Sequence, residues 1–132
     1  MIQVVCGILI WNDKVLIGKR KMNGKSEAGK WEFPGGKVED GESQWEAIKR
    51  EFKEELDIEV HPFHHFRPVS NDTIELVGFV LKLESGKARL NEHDEVRFVD
   101  KAEFFKMELT DLSREVGRIL FDSYSIFLKK ES

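Results

Sequence analysis

Apolar and polar residues alternate along this chain in a pattern that predicts several strands and two main helices. Runs rich in β-branched and aromatic residues indicate strands at 3–11, 14–20, 31–33, 58–61, 73–83 and 96–99. Asn12 and Asp13 predict a hairpin turn between the first two strands. Residues 92–95 form a charged stretch that we expect to be a loop.

Helical spacing appears at two places, residues 44–56 and residues 111–128, with a short helical turn expected at 102–105. Strands that alternate with two real helices predict an α+β fold with a mixed sheet. The pattern itself leaves the order of the strands in that sheet open. We expect residues 1–132 to form one domain, because the length is typical of a single core.

The first helix has a distinctive start and an unusual acidic edge. Ser43 and Glu46 have the spacing of a capping box, so the helix is expected to begin at Gln44. The apolar face given by helical spacing consists of Trp45, Ile48, Phe52 and Leu56. Glu51 and Glu55 lie beside this face, although like charges four positions apart destabilise a helix by a few tenths of a kcal/mol.

Two interpretations of the acidic edge are available. Ion pairs of Arg50 with Glu46 and Glu54 would be typical of an ordinary solvated helix. The repulsion between Glu51 and Glu55 instead calls for a positive partner, and clustered carboxylate oxygens are ligands of hard divalent cations. The spacing therefore favours a metal site over a purely structural surface.

Composition and net charge limit the classes of protein to which this chain could belong. The net charge of -4 argues against a protein that coats nucleic acid through a basic surface. Cys6 is the single cysteine, which excludes a disulfide framework, and we expect it to be buried. We find neither the pattern of a signal peptide nor an apolar run of membrane length, so we expect a cytoplasmic protein without a membrane partner.

The glycine turn and first helix together carry a family resemblance. The fixed positions are Gly36, Glu42, Arg50-Glu51-Phe52, Glu54-Glu55 and Asp57-Ile58, with five residues before Glu42 and seven after it. This arrangement resembles the Nudix box of the Nudix hydrolase superfamily. Asp57 stands where the family usually has Gly, at a helix end where a left-handed conformation is common. The preceding residues 31–37, WEFPGGK, resemble the MutT-like branch.

The resemblance implies a fold, a cofactor and a set of site residues. The implied fold is a mixed sheet between helices, and the implied cofactor is Mg²⁺, with Mn²⁺ as an alternative. The implied metal ligands are the Gly35 carbonyl, Glu51, Glu54, Glu55 and a later-loop acid, Glu92. Glu51 corresponds to either a ligand or a general base, and Glu95 is the alternative to Glu92. Glu42 and Arg50 correspond to a pair that orients the others.

Three further residues are candidates for substrate binding. Arg20 corresponds to a basic residue that reaches the phosphates or the nucleotide in MutT-like relatives. Lys37 follows the glycines and could do likewise, although each could also be an ordinary exposed cation. Asp111 corresponds to a position that reads the base, and its alternative role is to cap the last helix.

The implied activity is hydrolysis of a (deoxy)nucleoside triphosphate to the monophosphate and pyrophosphate. The leading expected substrate is an oxidised nucleotide such as 8-oxo-dGTP. CTP or a modified dCTP follows closely. One alternative is a relative that acts on dinucleoside polyphosphates or the 5′ end of RNA. Another is a non-catalytic domain that senses nucleotides. The chain is expected to be a monomer or a homodimer.

Overall fold

The computed structural model describes residues 1–22, 27–85, 93–123 and residue 128. Its strands are β1 (Ile2–Trp11), β2 (Lys14–Arg20), β3 (Trp31–Glu32), β4 (Gly35–Lys37), β5 (Glu59–His65), β6 (Val69–Ser70), β7 (Ile74–Ser85) and β8 (His93–Val99). Its helices are α1 (Gln44–Leu56), α2 (Lys101–Lys106) and α3 (Asp111–Ser123). The strand and helix content confirms the α+β prediction.

The described strands pair into one mixed sheet whose main order is β3-β2-β1-β7-β5. β4 pairs with β1, β6 with β7, and β8 with β2. The central pair β1–β7 is parallel, with Val5 opposite Val77, and the other pairs are antiparallel. Positive φ angles at Asn12 and Asp13 produce the predicted hairpin turn between β1 and β2.

Two apolar clusters lie on opposite faces of this sheet because successive residues of a strand point to opposite sides. Val5 and Leu9 of β1 belong to the cluster that includes the buried face of α1. Cys6 and Ile8 belong to the cluster that includes the buried residues of α2 and α3. The sheet is therefore sandwiched between helices, as the family resemblance implied.

The close approach of α1 to β1 depends on Gly7. A Cβ atom at Gly7 would lie 2.3 Å from Cε1 of Phe52, and the Phe52 side chain is fully buried. Burial of a Phe side chain contributes about 2–3 kcal/mol, so this contact holds α1 firmly on the sheet.

Two sequence predictions are wrong in detail. Trp45 was expected on the buried face of α1, but it is 43% exposed and contacts the His61 ring at 5.5 Å. Ala47 and Glu55 are buried instead, so the buried arc is rotated relative to the predicted one. The predicted loop 92–95 is also wrong from residue 93 onwards, because β8 begins at His93 and pairs with the end of β2.

Candidate active site

Both ends of α1 are fixed by local hydrogen bonds. Ser43 Oγ accepts from the backbone N–H of Glu46 at 3.0 Å, and the Ser43 N–H donates to Glu46 Oε1 at 3.1 Å. Asp57 adopts the left-handed conformation, with φ 55° and ψ 38°, and its N–H donates to the Lys53 carbonyl at 3.0 Å. The predicted caps are confirmed, and they set where the acidic edge of the helix begins and ends.

Arg50 joins the loop before α1 to the carboxylates of the helix. Its Nε and Nη2 donate to the two oxygens of Glu42 at 2.7 and 3.0 Å, and Nη2 also donates to the Lys37 carbonyl at 2.9 Å. Its Nη1 donates to Glu51 Oε1 at 2.8 Å and to Glu54 Oε2 at 3.1 Å. The hydrogen bonds from Arg50 lower the pKa of Glu42. The Arg50 guanidinium therefore binds the carboxylates of Glu42, Glu51 and Glu54 at the same time.

Glu51 is packed against the glycine turn. A Cβ atom at Gly36 would lie 2.4 Å from Glu51 Oε1, so the carboxylate occupies the space that a side chain would need. Burial raises the pKa of Glu51, and the hydrogen bond from Arg50 opposes this shift. A Cβ atom at Gly35 would lie 2.0 Å from the Val5 carbonyl oxygen. Backbone packing therefore requires glycine at position 35, whereas glycine at position 36 leaves room for the Glu51 carboxylate.

Glu55 is the most buried acid of the helix, at 6% exposure, and lines a cleft beside Gly35 and Gly36. Glu54 is exposed on the same edge. Across the described residues, no three acidic, His or Cys side chains converge as a ready-made metal cage. Arg50 instead separates the oxygens of Glu51 and Glu54. The available donors are nevertheless all hard oxygens, which fit a cation such as Mg²⁺ or Mn²⁺.

The cleft has a volume of about 380 Å³ and a lining of mixed chemical character. Its charged lining residues include Arg20, Lys37 and Glu55, and Gly35 lines it as well. The apolar part of its lining includes Val4, Cys6, Phe33, Ile74, Leu76 and Leu112. Such a cavity can hold a ligand that combines charged groups with a flat apolar surface.

The structure therefore brings four predicted residues, Arg20, Lys37, Gly35 and Glu55, into one cleft. Arg20 Nε lies 3.6 Å from Glu32 Oε1, a second acid of the cleft wall.

The start of α3 also lines the cleft, but not through the residue we predicted. Asp111 is the first residue of α3 and is exposed, whereas its neighbours Thr110, Leu112 and Ser113 line the cleft. Ser113 Oγ accepts from the Phe33 N–H at 3.1 Å. Thr110 and Ser113 were missed by the sequence reasoning, since only the packing of β3 against α3 reveals that they are polar groups of the cleft.

The two candidates for the later-loop acid are Glu92 and Glu95. Glu92 lies outside the residues that the structure describes. Glu95 lies in β8, and its Oε2 accepts from Arg97 Nε at 3.2 Å. Strand alternation places Glu95 on the same face as Val99, whose cluster faces α2 and α3, while Val96 packs with the α1 cluster. Glu95 is thus turned away from the acidic edge of α1.

The remaining candidate residues have structural positions. Cys6 is buried, as predicted, and burial raises the pKa of its thiol above the usual range. His61, His64 and His65 lie on β5. Of the helices within the described ranges, none combines the length and apolar character needed to cross a membrane.

Comparison with known proteins places these features in a family. The NUDIX domain family matches residues 1–120 of the chain. The CTP pyrophosphohydrolase of Escherichia coli strain K12 is 39% identical over 97 residues, which cover 70% of this chain and 71% of that protein. The 8-oxo-dGTP diphosphatase of Buchnera aphidicola is 39% identical over 64 residues, which cover 48% of each. The crystal structure of the MutT protein of Methanosarcina mazei Go1 superimposes with a TM-score of 0.77 at 25% identity, covering 93% of this chain and 94% of that one.

Proposed function

Because this chain belongs to the NUDIX domain family, we propose that it is a Mg²⁺-dependent hydrolase that cleaves a (deoxy)nucleoside triphosphate to the monophosphate and pyrophosphate. The observation that carries the proposal is the buried Glu55 in a cleft whose lining includes both cationic and apolar side chains. A nucleotide has the same two-part character, with a charged phosphate chain and a flat base.

We assign the metal site to Glu51, Glu54, Glu55 and the Gly35 carbonyl, with Glu92 as the later-loop acid. When bound, the cation neutralises phosphate oxygens and makes water a stronger nucleophile. Arg50 orients two of these acids through its Nη1 atom.

The cations of the cleft bind the phosphate chain in this proposal. Arg20 and Lys37 both line the cleft, and Lys37 is exposed. Arg20 Nε lies 3.6 Å from Glu32 Oε1, so the guanidinium is already directed along the cleft wall. The apolar lining residues exclude water from the base.

In this proposal, buried polar groups of the cleft determine base choice. We assign this role to Thr110 and Ser113 ahead of Asp111, because both are buried and line the cleft while Asp111 is exposed. Relatives that act on 8-oxo-dGTP or CTP make these two the leading substrates.

A substrate panel tests the activity directly. Purified protein with Mg²⁺ is expected to release pyrophosphate and a monophosphate from 8-oxo-dGTP or CTP, and a chelator is expected to stop turnover. Release of orthophosphate from a triphosphate would contradict the proposed bond cleavage. Preferred turnover of a dinucleoside polyphosphate or of 5′-triphosphate RNA would favour those alternatives, and tight binding without turnover would indicate a sensor.

Base choice has its own test. Thr110→Val is expected to change the ratio of kcat/KM for a guanine and a cytosine nucleotide by about fivefold or more, because one hydrogen bond to a base edge is worth about 1 kcal/mol. Asp111→Ala is expected to change that ratio by less than about twofold, as is usual for an exposed position. The reverse result would assign base reading to Asp111.

A further inference from the structure

One carboxylate ties the loop between β2 and β3 to the start of α3. Glu27 Oε2 accepts a hydrogen bond from the Asp111 N–H at 3.2 Å, across 84 positions of sequence. Lys30 Nζ lies 3.7 Å from the same oxygen. The first N–H groups of a helix have no partner within the helix, and a negative charge is favoured beside them. A distant loop therefore supplies a cap to α3.

The backbone of Glu27 is held in an unusual conformation that aims this carboxylate. Its φ is +58°, in the left-handed region that non-glycine residues rarely adopt. The Lys30 N–H donates to the Glu27 carbonyl at 3.1 Å, and the Gly29 N–H donates to the Arg20 carbonyl at 3.1 Å. These bonds fix the turn on the end of β2. Backbone strain of this kind is concentrated at functional positions.

The link also lies at the cleft. Glu27 and Ala28 line it, and so do Thr110 and Leu112 at the start of α3. The bond between Glu27 and Asp111 therefore joins two segments that both contribute to the lining of the cleft.

Main-chain bonds join the same two segments further along. The Trp31 N–H donates to the Glu108 carbonyl at 2.8 Å, and the Thr110 N–H donates to the Trp31 carbonyl at 2.9 Å. The bond from Asp111 to Glu27 extends this connection to residues 27–30 through a side chain. A change at Glu27 can therefore alter the cleft while the main-chain connection remains.

We propose that Glu27 is a positioning residue that shapes the nucleotide cleft by holding residues 27–30 against the start of α3. The inference rests on the proposed function, since it assigns the cleft to the nucleotide. Glu27 acts on the binding of the nucleotide and leaves the chemistry at the acidic edge of α1 unchanged.

Kinetics separate this role from a general loss of structure. Glu27→Ala raises KM for the preferred nucleotide by about five- to tenfold and changes kcat by less than about twofold, because binding that is equal in ground and transition states is lost. Glu27→Gln keeps an oxygen acceptor for the Asp111 N–H and recovers most of the affinity. Glu115→Ala, an exposed acid of α3 that pairs with Arg118, is the matched control and leaves KM unchanged.

Amide hydrogen exchange tests the link without any substrate. Glu27→Ala speeds exchange of the Asp111 N–H by about tenfold, while the Arg114 N–H stays protected by its bond to the Thr110 carbonyl. Unchanged exchange at Asp111, an unchanged KM, or an equal fall in kcat would each overturn the inference. Absence of turnover in the unmodified protein, with faster exchange in the variant, would count against the proposed function and leave the link established.

Discussion

Glu54→Gln is expected to lower metal-dependent kcat/KM by about a thousandfold without a change in thermal stability. A catalytic cation supplies several kcal/mol of transition-state stabilisation, and each ~1.4 kcal/mol corresponds to a factor of ten in rate. The Glu54 side chain is 58% exposed, so the fold tolerates the neutral amide. The Gln oxygen can still accept from Arg50 Nη1, which now holds Glu54 at 3.1 Å. The substitution therefore removes the charge and retains the shape.

Initial rates of pyrophosphate release, measured over a range of Mg²⁺ concentrations, check this result alongside Tm. Glu115→Gln makes the same chemical change at an exposed acid of α3 and is expected to keep the rate within about twofold. Binding of Mn²⁺, followed by titration, is expected to weaken in Glu54→Gln alone. If Glu54→Gln kept more than a tenth of the rate at saturating metal, Glu54 would not be a ligand.

The helix at the centre of the site could be predicted from the sequence because its determinants are local. Ser43 and Glu46 are three residues apart, and both bonds of their capping box form within the first turn. The left-handed conformation of Asp57 likewise needs only the end of the same helix. Pairing of Glu42 with Arg50 followed from the family spacing. In each case the partners lie within a few residues, or the motif fixes them.

Features that depend on distant packing could not be obtained in this way. The parallel pairing of β1 with β7 joins segments whose periodicity is that of any buried strand. Trp45 has the correct helical spacing to be buried, but α1 lies on the sheet so that Ala47 and Glu55 take the buried positions. The bond from Asp111 to Glu27 spans 84 positions and leaves no local pattern.

Gly35→Ala is expected to destabilise the fold by about 3 kcal/mol, the upper end of the usual cost of overpacking. The new Cβ atom would lie 2.0 Å from the Val5 carbonyl oxygen and 2.6 Å from Cys6 Cα. Both are main-chain atoms of β1, which is held in register with β4 by the pairing of Cys6 with Gly35. Neither atom can move without disturbing the central strand, so Tm should fall by roughly 10 °C.

Gly36→Ala places the same methyl group beside a different kind of neighbour. Its Cβ atom would lie 2.4 Å from Glu51 Oε1 and 2.7 Å from Oε2, at the free end of a flexible side chain. Glu51 can swing aside, so Tm should fall by less than about 3 °C. A displacement of about 1 Å at a reacting site costs about a hundredfold, and kcat/KM should fall by that factor.

The two variants carry the same chemical change at adjacent positions, so each serves as the control for the other. Thermal melting and steady-state kinetics on both proteins separate backbone packing at Gly35 from carboxylate placement at Gly36. A variant Gly36→Ala that kept full activity would show that Glu51 acts from a position other than the one packed on the glycine turn. In that case the carboxylate would have to leave Arg50 Nη1, 2.8 Å away, before it could bind a cation. If Gly36→Ala instead lost activity while its Tm stayed unchanged, Glu51 would act from the position against Gly36 that it has in the structure.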